Sequence, residues 1–77
     1  MDKREIQLVR EICHEVDCLL TQDQGNADLD VLERYRLKMN DLLWNERYRE
    51  AMIMAYAIQL KHAGQDADRY LSEVGWD

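Results

Sequence analysis

Between Asn26 and Gly64 the chain contains neither glycine nor proline, and that absence constrains its fold more than any other feature. Proline is missing throughout, and glycine occurs three times, as Gly25, Gly64 and Gly75. Because these two residue types are the strongest punctuation of turns and strand ends, the pattern calls for long elements joined at few places. The apolar set is Leu, Ile, Val, Met, Ala, Tyr, Trp and Cys, with no Phe, which favours helix over sheet. The expected fold class is all-α, a small antiparallel bundle of three main helices and a short C-terminal one within a single domain.

The periodicity gives the helices. Ile6, Val9, Ile12, Cys13, Val16, Leu19 and Leu20 recur at steps of three and four, one broad apolar stripe. Asp2 and Glu5 stand in capping-box spacing at its start, where their charge also suits the helix dipole. The polar segment TQDQGN, Thr21 to Asn26, reads as a cap and tight connection built on Gly25, with Asn26 or Asp28 capping the next helix. A second stripe follows in Leu29, Leu32, Tyr35, Met39, Leu42 and Leu43. Its register then fails, since Glu46 and Arg49 fall on the core positions, and a new one begins with Trp44, Tyr48, Ala51, Met52, Ala55 and Ile58. A break at Asn45, a competent cap, is expected rather than one kinked helix. The expected helices span about 2–22, 28–44, 46–63 and 66–74, the last capped by Asp66 and followed by a Gly75-Trp76-Asp77 tail.

Within the third helix the eight residues AMIMAYAI, Ala51 to Ile58, carry no charge. A helix apolar all round is buried all round. A chain of 77 residues is near the lower limit for a self-sufficient core, burying roughly 60% of its surface on folding. Part of this helix is therefore expected to meet a second molecule, and Trp44, Tyr48, Met52, Ile53, Tyr56 and Trp76 are its candidate interface. Met52 and Met54 flank Ile53 and so cover more than one face, as an adaptable surface does. Trp44 is expected to plug the junction of the second and third helices. Trp76 either packs back as a C-terminal anchor or waits for a partner.

Sixteen acidic against ten basic residues give a net charge of −6. Phosphate binding depends on Lys and Arg releasing counterions, so direct nucleic-acid binding is not expected, and a protein partner of basic character is. The charge is polarised: the first 25 residues hold three bases and six acids, the last 14 one base and four acids. Five basic residues, Arg34, Arg36, Lys38, Arg47 and Arg49, gather near the middle, a distribution suited to pairing with a second copy or a complementary protein. The carboxylates Glu11, Glu15 and Asp17 on the first helix form a candidate acidic face for mimicry of nucleic-acid phosphates.

Glu33-Arg34-Tyr35-Arg36 returns as Glu46-Arg47-Tyr48-Arg49, with an echo in Asp68-Arg69-Tyr70. Each tyrosine falls on an apolar stripe with arginines to either side, so the repeated ERYR describes the edge of a core: ring inward, hydroxyl at the rim. Each motif also carries an acid that weakens any positive field.

No other motif carries chemistry. Cys13 and Cys18 point about 140° apart on a helix, so they neither bridge each other nor share a metal with His14 and His62. Cys13 reads as a small core residue. A helical chain this short has little room for a dry pocket with an oxyanion site, and it lacks a glycine-rich phosphate loop. No enzyme activity, cofactor or metal site is expected. No apolar run approaches the roughly 20 residues of a membrane span, and a cysteine pair without a signal segment fits a reducing cytoplasm.

Around LLWNERYREAMIMAYAIQL, with Trp44, Tyr48, Ala51 and Ala55, the chain resembles one tetratricopeptide hairpin, although the Leu-Gly step of that motif is missing and a single repeat cannot bury its own faces. In size, acidity and helicity it is similar to the small all-helical accessory proteins of bacteriophage early regions, a likeness of general character without a motif. It implies a regulatory protein that binds a host or phage macromolecule.

Overall fold

A computed structural model describes residues 2–22 and 29–76. They form four α-helices and, among the described residues, no strand: α1 (Lys3–Gln22), α2 (Leu29–Trp44), α3 (Tyr48–His62) and α4 (Ala67–Glu73). The connection at Gly25, the caps assigned to Asn26 and Asp28 and the first residue of the expected second helix lie outside the described residues.

Helix α1 starts where the sequence offers a cap, with Asp2 Oδ1 accepting a hydrogen bond from the Glu5 N–H at 2.9 Å. Its inward face narrows to Val9, Cys13, Val16 and Leu20, while Leu19 of the expected stripe is 38% exposed. From α2 the core takes Leu32, Met39 and Leu42.

The break between α2 and α3 falls where the register changes, but its construction differs from expectation. Asn45 does not start α3. Its side chain donates to the Asp41 carbonyl at 2.8 Å, holding the end of α2. The chain then turns at Glu46, whose φ of 61° is left-handed. The Arg47 N–H reaches the Leu42 carbonyl at 2.9 Å and the Glu46 N–H the Leu43 carbonyl at 3.1 Å, the paired bonds of a Schellman termination. Arg47 is the cap residue of α3 and makes no side-chain cap bond.

The same termination closes α3 and α4, with glycine at the left-handed position. Gly64 (φ 79°) and Gly75 (φ 77°) end these helices, and the returning bonds are Gln65 N–H to Leu60 O at 2.8 Å and Trp76 N–H to Leu71 O at 2.9 Å. Between them Asp66 caps α4 by accepting from the Arg69 N–H at 3.0 Å.

Helix α3 packs against α1, α2 and α4. Ala51, Met54, Ala55, Ala57 and Ile58 are buried, and the alanines let neighbouring backbones approach closely. Met52, Ile53 and Leu60 pack on the same core, leaving Tyr56 as the exposed residue of the uncharged run. Three helices of the same chain cover most of the run, while Met52, Ile53 and Tyr56 keep part of their surface. Small side chains make this possible, because an alanine-rich helix needs less cover than a leucine-rich one.

Polar ties fasten the periphery. Arg36 on α2 donates to Asp17 on α1 at 2.8 Å and also to Glu33, and Tyr35 on α2 donates to Asp68 on α4 at 3.0 Å. Arg10 on α1 donates to the Tyr48 hydroxyl on α3 at 3.2 Å. Tyr56 and Tyr70 meet edge to face, 4.8 Å between centroids, joining α3 to α4.

Candidate functional site

The six candidate interface residues do not form one apolar surface. Trp44, at the end of α2, is 87% exposed, so it does not plug the α2–α3 junction. The left-handed turn at Glu46 closes that junction with backbone bonds instead. On the α2 wheel Trp44 lies seven residues beyond Leu37, itself 58% exposed, and both face away from Leu32 and Met39, two turns apart along one outer edge.

Tyr48 is half-buried beneath Arg10, whose guanidinium carbon stands 5.8 Å from the ring centroid. Ile53 and Trp76 line one shallow depression with Lys38, Arg47 and Glu50. Trp76 is half-buried and packs on the core, brought back by the turn at Gly75. Its anchoring role accounts for this position. Tyr56 is 48% exposed beside Tyr70, and Met52 packs on the core. The structure thus brings Trp44 and Tyr48 together in one groove and Ile53 and Trp76 together in another depression.

Trp44 and Tyr48 share an open groove of about 650 Å³ with Arg10, His14, Asn40 and Leu43. Arg10, Asn40 and Leu43 were absent from the sequence-derived candidates. Asn40 and Leu43 stand on α2 one turn or less from Trp44. Arg10 belongs to the groove because α1 packs against the start of α3, a contact that no local pattern announces. Leu37 was legible in principle, as an apolar residue off the α2 stripe at heptad distance from a tryptophan.

No family model matches the chain, and no curated protein or solved structure matches it at a significant level.

The acidic face is smaller than its sequence suggested. Glu11 and Glu15 are exposed, but Asp17 stands on the edge of α1 that faces α2 and is paired with Arg36 at 2.8 Å. Glu15 and Asp17 are two positions apart, which sets them about 160° apart around the helix. The hydrogen bonds from Arg36 to Glu33 and Asp17 hold its guanidinium proton far above the usual arginine range. Asp17 is thus engaged within the fold.

Among the described residues no group of three or more His, Cys, Asp or Glu side chains could hold a metal ion, and no helix is long and apolar enough to cross a membrane. Cys13 is buried on the core stripe, where desolvation pushes its thiol up to about 11 from 9.0. Cys18 is exposed, its sulfur 3.6 Å from His14 Nε2. The groove around Trp44 includes the exposed acid Glu46, and Asp41, three residues before Trp44 on α2, is exposed as well; Arg10 in the same groove donates to Tyr48.

Proposed function

We propose that the chain is a small non-enzymatic protein-interaction or regulatory module that self-associates through the Trp44 edge and acts by binding a host or phage macromolecule in the cytoplasm. In this account one domain, a small antiparallel bundle, serves as a rigid scaffold for the edge. The observation that carries it is the 87% exposure of Trp44. A tryptophan left in water forfeits the largest hydrophobic gain any side chain offers, and tryptophan is the residue most enriched at the energetic centre of interfaces. Most of α3 is covered by its own chain, so this reading assigns the interface to the outer edge of α2. Leu37 extends the apolar strip, while Asp41 and Glu46 give it an acidic border that suits a partner with basic residues around an apolar centre.

The alternative, an acidic mimic occupying the site of a nucleic-acid-binding protein, rests on Glu11 and Glu15 alone once Asp17 is paired with Arg36. Two carboxylates one turn apart are a thin imitation of a phosphate backbone, so the apolar edge is the better supported surface.

The test is sedimentation equilibrium in a chelator-containing buffer, wild type against Trp44→Ala. Trp44 is 87% exposed, so the variant is expected to retain its helical circular dichroism. A dimer whose dissociation constant rises at least about 30-fold on truncation, the loss expected of a tryptophan hot spot, supports the proposal. Identical behaviour of the two proteins refutes the assigned edge. Salt separates the mimic, whose binding weakens steeply with ionic strength, from an apolar contact that scarcely responds.

A further inference from the structure

The basic residues that the sequence gathers near its middle are used differently by the fold. Arg36 is spent on Asp17 and Glu33. Lys38, one turn along α2 from Arg34, is exposed and makes no hydrogen bond or ion pair among the described residues. Arg47 pairs with Glu50 through one guanidinium nitrogen at 3.0 Å while its side chain stays 60% exposed, so most of its five donors remain available. Lys38 and Arg47 converge on a depression of about 440 Å³ whose other walls include Ile53 of α3 and Val74 and Trp76, which follow α4. Trp76 is preset there. Gly75 at φ 77° turns the chain back, the Trp76 N–H donates to the Leu71 carbonyl at 2.9 Å, and the half-buried side chain packs on the core. With Lys38 and Arg47 against Glu50, the depression carries a net charge of +1. The groove at Trp44 sets Arg10 against Asp17 and Glu46, and the depression between α1 and α2 sets Arg36 against Asp30 and Glu33, each a net −1. In a chain of net charge −6, the sign reverses beside Trp76.

We propose that the depression at Lys38, Arg47 and Trp76 is a docking site for an acidic peptide segment of a partner protein, one that carries an apolar side chain between its carboxylates. The occupant follows from charge complementarity and from the lining. An ammonium and a guanidinium at the rim hold carboxylates by charge-assisted hydrogen bonds, and Ile53, Val74 and Trp76 take the apolar side chain out of water. The volume lies within the roughly 300–1,000 Å³ of ligand sites. A bare anion would leave the apolar wall wet, and a nucleic acid would carry its remaining phosphates across an acidic chain. Because α2, α3 and the returning Trp76 are already fixed, little ordering of this chain opposes binding. The site shares no lining residue with the Trp44 groove and selects the opposite charge, so it goes beyond the Trp44 edge and does not rest on it.

The experiment titrates a short synthetic peptide, glutamates on either side of a central leucine, into the isotope-labelled full chain at low salt, read by proton–nitrogen NMR. The chain has two tryptophans and hence two indole N–H signals, which Trp44→Ala assigns. Binding should saturate, move the Trp76 signal and leave that of Trp44 in place. Lys38→Glu, at an exposed position, should weaken the peptide at least about tenfold, while Lys38→Arg binds as wild type does. Serine in place of the peptide's leucine should also cost at least about tenfold, and Trp44→Ala nothing. Inorganic phosphate and a single-stranded oligonucleotide are titrated alongside. No binding of the peptide, equal binding of its serine form, or indifference to Lys38→Glu overturns the proposal. Tighter binding of the oligonucleotide overturns it in favour of nucleic acid, and phosphate moving the Trp76 signal as far as the peptide does overturns it in favour of a plain anion site. The two proposals fail separately. A dimer that Trp44→Ala weakens, with no peptide binding, removes this site and keeps the apolar edge; a peptide that moves Trp76 in a chain whose association ignores Trp44→Ala does the reverse.

Discussion

The two copies of ERYR, identical in sequence, do different things. In residues 33–36 the motif lies wholly within α2: Arg36 reaches back to Asp17 on α1 while Tyr35 reaches out to Asp68 on α4. In residues 46–49 it straddles a helix break, with Glu46 in a left-handed turn, Arg47 capping and Tyr48 opening α3. There Arg47 pairs locally with Glu50 at 3.0 Å, and Tyr48 accepts from Arg10 beside an open groove. The first copy is a clasp between helices, the second a corner. In each copy one arginine is paired with a carboxylate, Arg36 with Asp17 and Arg47 with Glu50. Four residues are too few to choose their neighbours, so the same string takes its role from what the fold sets against it.

The largest effect that would sharpen this contrast comes from alkali. Cys13 lies on α1 between Arg10 and Asp17, the residues gripped by the second and first copies. Its thiol is raised by burial to about 11, and Tyr35 is raised by burial first and then by its bond to Asp68. A group with a raised folded pKa contributes stability that is whole below its unfolded value and is lost as pH climbs through the folded one. Urea unfolding should therefore show stability constant up to about pH 9, then falling by about 2 kcal/mol toward pH 11 through Cys13. Tyr35 prolongs the fall above pH 10. Cys13→Ala should flatten the first part of that slope and Tyr35→Phe the second; a slope untouched by either variant would break the link between burial and titration.

A double-mutant cycle on Asp17 and Arg36 should return a coupling of about 1 kcal/mol, since the pair is partly sheltered and shared with Glu33. The Arg47–Glu50 pair of the second copy, exposed and local, should return only about 0.3 kcal/mol. Equal couplings would erase the difference between clasp and corner.

Glu46 provides a smaller and opposite effect. A left-handed backbone costs an ordinary residue roughly 1–2 kcal/mol, part of which glycine returns through greater freedom when unfolded. Glu46→Gly should accordingly raise stability by about 0.5–1 kcal/mol, read as a higher urea midpoint at unchanged slope. The equivalent change in the first copy, Glu33→Gly in the interior of α2, should lower stability by about 1 kcal/mol, so one substitution in one motif takes opposite signs.

Periodicity and punctuation together made the fold legible. The stripes of α1 and α2, the register change near Asn45 and the Gly64 and Gly75 terminations all follow from where apolar residues recur and where a left-handed residue costs least. Glu46 escaped because nothing in its chemistry advertises a positive φ; the tertiary packing of α3 against α2 imposes it. The site was less legible. Trp44 was singled out both as a candidate interface residue and as a junction plug, and its exposure removes the second reading, while Asp17 was counted with Glu11 and Glu15 although helix geometry turns it toward α2.

By itself the sequence determined an all-helical chain, the faces its helices turn inward and the residues able to end them, because these depend on spacing along one chain. Only the tertiary structure decided that α3 is covered by its own neighbours, that Trp76 returns while Trp44 stands in water, and that Arg10 joins Tyr48. Each depends on which helices lie side by side, and that choice is made by the fit of whole faces rather than by any run of residues.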